Sequence, residues 1–320
     1  MTPVGRGSVD RVTALTVSVP TERLADDVRA LLDPSLEIEV VVWKDDASVP
    51  DGPVDIVVPP YMRQGATLRA LSELRPRLVQ GQAIGYDGVA DVLPEGLVYA
   101  NASGVHETAT AELTLGLILM AQRGLADYVR AQDRGEWAPS TTIGLADRRV
   151  LLLGYGGVGK AIAARIAAFE AEVVPVASRA RDEDGVQVHG IDELPELAGT
   201  ADILVNALPG GPQTHRLIGD EVLSALPHGA LVVNIGRGPT VDTDALVAHL
   251  RRGRLRMASD VFDPEPLPAD HPLWSLPGAI IAPHVGGRSA AMDPRIARLV
   301  ATQAERLARG EEPINVVIRS

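Results

Sequence analysis

The chain has 320 residues, 46% of them hydrophobic, with 30 basic against 42 acidic side chains, a formal charge of −12 and no cysteine. At about 100–200 residues per domain the length predicts two domains, and the acidic balance excludes a basic face for nucleic acid. The missing cysteines exclude disulfides, thiolate metal sites and cysteine nucleophiles.

No apolar run reaches the ~18 residues of a membrane span, and residues 1–10 lack the basic-then-apolar order of a signal peptide. A cytoplasmic globular protein is expected. In chain order, 12–19 reads as a strand, 22–32 as a helix, 37–42 and 55–58 as strands, and 68–74 as a helix. A strand at 78–80 then runs into the stretch Gln82-Ala83-Ile84-Gly85-Tyr86-Asp87-Gly88. A long helix is expected from 106 to about 123, with Leu113, Leu117, Met120 and Leu125 at helical spacing, and the stretch 134–139 is turn-rich. From 149 the alternation becomes regular, with apolar runs at 150–153, 172–177, 202–208, 230–235, 256–261 and 279–282. Such runs mark strands buried on both faces of a parallel sheet. A last helix, 294–309, returns toward the first unit. The fold class is α/β, with two doubly wound parallel-sheet domains.

Gly154-Tyr155-Gly156-Gly157-Val158-Gly159 follows one apolar strand and opens an Ala-rich helix expected over 160–170. That context makes it a dinucleotide fingerprint. The glycines give a tight turn, close approach of a pyrophosphate and helix–strand packing, and the helix N-terminus receives the anion. A P-loop would need Ser or Thr after Lys160, where this chain has Ala161. At the end of the next strand, where NAD sites carry an acid for the ribose, stand Ser178 and Arg179, with Arg181 close by. Guanidinium attracts a 2′-phosphate, so NADP(H) is expected ahead of NAD(H), although Asp182, Glu183 and Asp184 dilute the positive field.

Three further segments put functional residue types at strand ends, where open α/β sheets bind ligands. They are Val233-Asn234-Ile235-Gly236-Arg237-Gly238, Ser259-Asp260-Val261-Phe262-Asp263-Pro264-Glu265-Pro266 and Ala282-Pro283-His284-Val285-Gly286-Gly287. An Arg, a carboxylate and a His together can hold an anionic substrate and move one proton. The seven histidines show no ligand-like spacing, so no metal is expected.

With these segments in this order, and with Gly104-Val105-His106 through Ala111-Glu112, the chain resembles the D-isomer-specific 2-hydroxyacid dehydrogenase family over nearly its whole length. The resemblance implies a Rossmann cofactor domain (101–287) inserted in a flavodoxin-like substrate domain (1–100 and 288–320), as a homodimer. It places carboxylate binding on Arg237, the acid of the pair on Glu265, the proton donor on His284 and a strand-end acid near the nicotinamide on Asp260. It makes Thr110, Leu208, Pro209, Thr214, Ile235, Gly236 and Gly286 further cofactor positions. The Glu265 charge is expected to favour the protonated ring of His284.

The substrate loop that the resemblance implies falls on Ala83-Ile84-Gly85-Tyr86, without the family's hydroxyl, which leaves the backbone of Ile84 and Gly85 to receive a carboxylate. Tyr61 and Met62 point to a small or apolar 2-keto acid, with Arg63 next to them. Formate dehydrogenases carry Gln in place of Glu265. A glyoxylate/hydroxypyruvate-type reductase is therefore expected. A phosphite dehydrogenase-like enzyme and a nucleotide-sensing, corepressor-like dimer are the alternatives, and the intact trio argues against the second.

Overall fold

The computed structural model describes residues 14–44, 49–62 and 65–320. Residues 1–10, the first two positions of the strand expected at 12–19, and Arg63 lie outside the described residues. The chain divides into two compact units, Met1–Val105 with Asp293–Ser320, and His106–Met292.

The first unit opens with β1 (Leu15–Val19), α1 (Glu22–Arg29), β2 (Ile38–Val42), β3 (Ile56–Val57), α2 (Gly65–Leu74), β4 (Leu78–Gln80) and β5 (Val98–Ala100). Thr21 starts α1 by accepting the Leu24 N–H on its hydroxyl (3.2 Å), and Leu24, Ala25 and Val28 form the buried stripe. The pairings among these five strands are parallel. Trp43, Leu68, Leu71, Val79 and Tyr99 pack as one core.

The second unit runs through α3 (Glu107–Gln122), α4 (Leu125–Asp133), β6 (Arg149–Leu153), α5 (Gly157–Ala167), β7 (Glu172–Ala177), β8 (Arg181–Glu183), β9 (Val186–Gly190) and α6 (Leu194–Ala198). It continues with β10 (Ile203–Asn206), α7 (Asp220–Ala225), β11 (Leu231–Asn234), α8 (Thr243–Arg251), β12 (Arg256–Ser259) and β13 (Ala279–Ile281). The chain then closes the first unit with α9 (Met292–Ala308) and β14 (Val316–Arg319).

The strand orders are β14-β5-β4-β3-β1-β2 and β13-β12-β11-β10-β6-β7-β9-β8. In the larger sheet Leu151, Leu152 and Leu153 are all buried, as a strand covered on both faces requires. Burying each such side chain is worth about 1.5–3 kcal/mol, so a charge at Leu152 would break the strand's packing.

The structure adds detail to several expectations. The helix beginning after His106 ends at Gln122, because Gly124 takes a left-handed φ of 62° and starts α4, which carries Leu125 instead. The helix after the fingerprint begins at Gly157 and ends at Ala167. Neither sheet is wholly parallel: β14 pairs antiparallel with β5, and β8 with β9. Each antiparallel strand lies at a sheet edge, where one free side suffices. The unit boundary falls after Val105, because Asn101 N–H donates to Asn315 O (3.0 Å) and Ala102 N–H to Ala83 O (2.9 Å), keeping that turn in the first unit. The second crossing falls after Met292, where α9 has already begun.

In the first unit, Gln303 of α9 donates to Gln80 Oε1 and to Ile314 O, both at 2.8 Å, and accepts the Ile314 N–H at 3.0 Å. Gln80 in turn donates to the carbonyls of Gly81 (2.8 Å) and Asn101 (3.0 Å). These buried amides tie the last helix to the middle of the sheet, and each polar atom named has a partner.

Candidate active site

The turn after β6 is built around backbone approach. Gly154 has φ 96°, and a Cβ there would stand 2.8 Å from Ala207 O. A Cβ on Gly159 would run into the Gly154 carbonyl oxygen. Gly156 differs: its φ is −88°, and nothing lies within 4 Å of where a Cβ would be. Neither conformation nor packing requires glycine there. The open space over it, at the N-terminus of α5, would admit an anionic group, and a pyrophosphate is of a kind that fits there. Gly157 and Val158 form the first helical turn beyond it.

Ser178 and Arg179 are exposed just past the end of β7. Arg181 opens β8 and donates twice to Glu183 Oε2, from Nη2 at 2.6 Å and from Nε at 2.9 Å. Beyond β10, Leu208 is buried and Pro209 is exposed. Thr214 donates its hydroxyl to Pro209 O (2.8 Å), which holds that loop in shape. Ile235 is buried beside Gly236, whose missing Cβ leaves room for the Leu208 backbone, with Leu208 O and N at 2.5 and 2.9 Å from its place.

The carboxyl ends of β11, β12 and β13, three neighbouring strands, deliver the trio. Arg237 follows β11, and its Nη1 donates to Gly236 O at 2.7 Å. A side chain on Gly238 would collide with the Phe262 carbonyl, so only glycine lets this turn lie against the turn carrying Glu265. Glu265 Oε1 accepts the Phe262 N–H at 2.7 Å, and its Oε2 meets His284 Nδ1 at 2.7 Å. Since a carboxylate only accepts, Nδ1 carries the hydrogen and Nε2 is the atom left for a substrate. Burial pushes the Glu265 carboxyl up, but the His284 and Phe262 hydrogen bonds and the His284 and Arg237 charges hold it below its ordinary value.

His284 itself sits in the left-handed region, φ 53°. For a residue with a Cβ that conformation costs on the order of 1–3 kcal/mol and needs support. Asp260 supplies it. Its carbonyl accepts the His284 N–H, its Oδ1 the Val285 N–H and its Oδ2 the Gly286 N–H, each at 2.8 Å. Burial pushes the Asp260 carboxyl above its ordinary value, against the two N–H bonds and the His284 charge that pull it down. A Cβ on Gly286 would come within 3.0 Å of Asp260 Oδ2 and 3.5 Å of Thr110 Cγ2, so Thr110, Asp260 and Gly286 meet at one point.

The structure thus gathers Arg237, Glu265, His284, Asp260 and Thr110 in the second unit. Tyr61, Met62, Ile84 and Gly85 belong to the first. There Met62 is exposed with φ 60°, Tyr61 is half-buried, and Ile84 and Gly85 are half-buried after β4, with Ile84 O accepting from Asn101 Nδ2 at 2.8 Å.

One layer escaped sequence reasoning. Asn206 Nδ2 donates to Asn234 Oδ1 (2.8 Å) and Thr240 Oγ1 (2.6 Å), while Thr240 Oγ1 and Asn234 Nδ2 donate to Arg237 O at 2.6 and 3.2 Å. This buried network fixes the backbone from which Arg237 projects. Its only sequence signal is an Asn at the end of two apolar strands, Asn206 and Asn234.

Among the described residues no group of His, Asp or Glu is placed to hold a metal ion, and no helix is long and apolar enough to cross a membrane.

Comparison with known proteins matches residues 115–286 to the family described as D-isomer specific 2-hydroxyacid dehydrogenase, NAD binding domain. The chain is 34% identical over 260 residues to a glyoxylate reductase of Aeropyrum pernix, covering 77% of each. It is 30% identical over 311 residues to a D-3-phosphoglycerate dehydrogenase of Methanocaldococcus jannaschii, matching 93% of this chain but spanning only 58% of that protein's length. Among solved structures, an NADPH-dependent glyoxylate/hydroxypyruvate reductase of Sinorhizobium meliloti, in complex with NADP and malonate, superposes with a TM-score of 0.75 at 26% identity, over 96% of this chain and 98% of that one.

Proposed function

Because the chain belongs to the D-isomer specific 2-hydroxyacid dehydrogenase family and is an oxidoreductase that uses a nicotinamide cofactor, we propose that it reduces a small 2-keto acid of the glyoxylate or hydroxypyruvate kind, with NADPH preferred. The observation that carries this reading is the 2.7 Å pairing of His284 with Glu265, on a turn packed against the turn of Arg237.

The bound nicotinamide supplies the hydride that reaches C2 of the keto acid. Arg237 grips the substrate carboxylate and polarises the carbonyl, which fixes orientation and offsets the charge that develops on oxygen. His284 gives its Nε2 proton to that oxygen while Nδ1 keeps its hydrogen on Glu265, so the ring neither turns nor changes tautomer at Nδ1. In the oxidative direction neutral Nε2 takes the proton back. Gly154–Gly159 with Val158 would hold the pyrophosphate, and Asp260, Thr110 and Gly286 the nicotinamide end. Leu208, Pro209, Thr214, Ile235 and Gly236 would flank it. Ser178, Arg179 and Arg181 support NADPH over NADH, because a ribose phosphate needs cations where NAD sites carry an acid.

We assign substrate binding to the first unit, through Ile84, Gly85, Tyr61 and Met62. Their lack of a basic side chain supports a small, unphosphorylated acid. We also read the protein as a cytoplasmic homodimer. The absence of cysteine supports the compartment, and exposed Leu125, Val129, Trp137 and Ile143 of the second unit support association.

Turnover of a panel of 2-keto acids with NADPH and with NADH tests this reading. The expected result is a higher kcat/KM with NADPH and poor use of 3-phosphohydroxypyruvate. A tenfold preference for NADH, about 1.4 kcal/mol, or efficient turnover of the phosphorylated acid would overturn the corresponding part.

A further inference from the structure

Away from the trio, two cations of the dinucleotide region close on one acid. Lys160, the residue after the third glycine, meets Glu183 Oε1 through Nζ, and Arg181 meets Oε2 through Nη2 (2.6 Å) and Nε (2.9 Å). Lys160 Nζ also stands 6.0 Å from the ring centroid of Tyr155, inside the glycine turn itself. Glu183 is the last residue of β8 and precedes a tight hairpin turn, where Asp184 and Gly185 have φ 54° and 78°. Two left-handed residues make the compact hairpin that matches sheet twist, so the acid is carried on a defined edge rather than a loose loop. Exposed Arg179 lies two residues before Arg181.

We propose that Glu183 is a specificity-determining residue for the cofactor, its carboxylate competing with a ribose 2′-phosphate for Lys160 and Arg181, and that Lys160 joins Arg179 and Arg181 as a cation of that phosphate. The inference rests on the NADPH reading above. A phosphate monoester carries about −1.5 to −2 charge and three acceptor oxygens, against one charge and two oxygens on Glu183, so both cations gain by exchanging partners. The pairs lie at partly exposed positions, with side chains 45% (Lys160), 40% (Arg181) and 26% (Glu183) accessible, where ion pairs are weak enough to exchange. NAD(H) presents only a hydroxyl there and gives neither cation a reason to leave Glu183. The acid therefore tempers a preference that Arg179, Arg181 and Lys160 create. The pairing also holds the Lys160 ammonium above and the Glu183 carboxyl below their ordinary values, each chiefly through their shared hydrogen bond.

The test is calorimetric titration of the parent, Glu183→Gln and Lys160→Gln with 2′,5′-ADP and with 5′-AMP, reading the ratio of the two dissociation constants. Removing one negative charge beside the phosphate should shift the ratio toward 2′,5′-ADP on the order of ten-fold in Glu183→Gln, and less in high salt. Lys160→Gln should shift it the other way. A ratio within two-fold of the parent in either variant would overturn the inference. A parent that does not favour 2′,5′-ADP would refute the NADPH reading instead. In that event a preference newly created by Glu183→Gln still upholds the role of Glu183, and its absence removes that as well.

Discussion

Two glycines three residues apart should respond to alanine in opposite ways. At Gly156, φ is −88° and the space over the missing Cβ is open, so the substitution strains nothing. Alanine restricts the unfolded chain, a gain of about 0.4–1 kcal/mol, but it is a poorer residue than glycine at a helix N-cap by a similar amount. The two effects offset, and Tm should stay within roughly 2 °C of the parent. At Gly159 the new carbon meets the Gly154 carbonyl, a backbone group that yields only if the whole turn moves. Overpacking of that kind costs about 1–3 kcal/mol, or roughly 2–12 °C at about 2–4 °C per kcal/mol. Cofactor affinity should separate from stability. A methyl over Gly156 disrupts a charge-assisted bond to the pyrophosphate worth about 1.5–3 kcal/mol, weakening NADPH roughly ten- to hundred-fold. Thermal denaturation and NADPH fluorescence titration of both variants read the two effects. If Gly156→Ala binds NADPH within two-fold of the parent, the open space over Gly156 is not where the pyrophosphate lies.

His284→Ala should lower kcat by about 10²–10⁴-fold with little change in KM, whereas Arg237→Ala should raise KM and lower kcat together. Steady-state kinetics separate them, and equal KM changes would contradict the division of roles. Glu265→Gln keeps a hydrogen-bond acceptor for Nδ1 but removes the facing charge, so kcat should fall while KM holds; an unchanged kcat would show that the charge is idle. Because Glu265 is held below its ordinary carboxylate value, it contributes stability that is present above about pH 4–5 and lost as pH falls through the lowered value. The Tm-versus-pH curve of Glu265→Gln should therefore be flatter on its acid side, and parallel curves would count against the pairing.

The parts of the site legible in the sequence are those whose chemistry is written in consecutive residues. The glycine turn, and the segments carrying Arg237, Glu265 and His284, each follow a short apolar run read as a strand; β6, β11 and β12 are largely buried, whereas the edge strand β13 is half-buried along its length. The Asn206–Asn234–Thr240 network was not legible, since it depends on β10 and β11 pairing in register. Nor was the support under His284, because three N–H groups converging on Asp260 are a property of the folded turn. The β8–β9 hairpin was hidden by its polar composition, and with it the pairing of Glu183 with Lys160 across 23 positions. The place of Leu125 in α4 was within reach: Gly124 interrupts the apolar spacing after α3, which ends at Gln122, one residue from the expected 123.

A ribosome completes Met1–Val105 long before it reaches Asp293–Ser320, although both belong to the same unit. At about 5–20 residues per second, roughly ten to forty seconds of synthesis separate them. Through that interval β5 has no β14 along its edge, and Gln80 Oε1 has no Gln303 to accept from. His106–Met292, contiguous in sequence, can fold as it emerges, with Arg237, Glu265 and His284 in place. The nascent chain then carries a contiguous unit able to fold and an unfinished one whose bare strand edge invites pairing with other chains. Chaperone dependence during expression should therefore originate in the first 105 residues, and shortening the wait, by permuting the chain so that the last helix and strand precede the first, should relieve it.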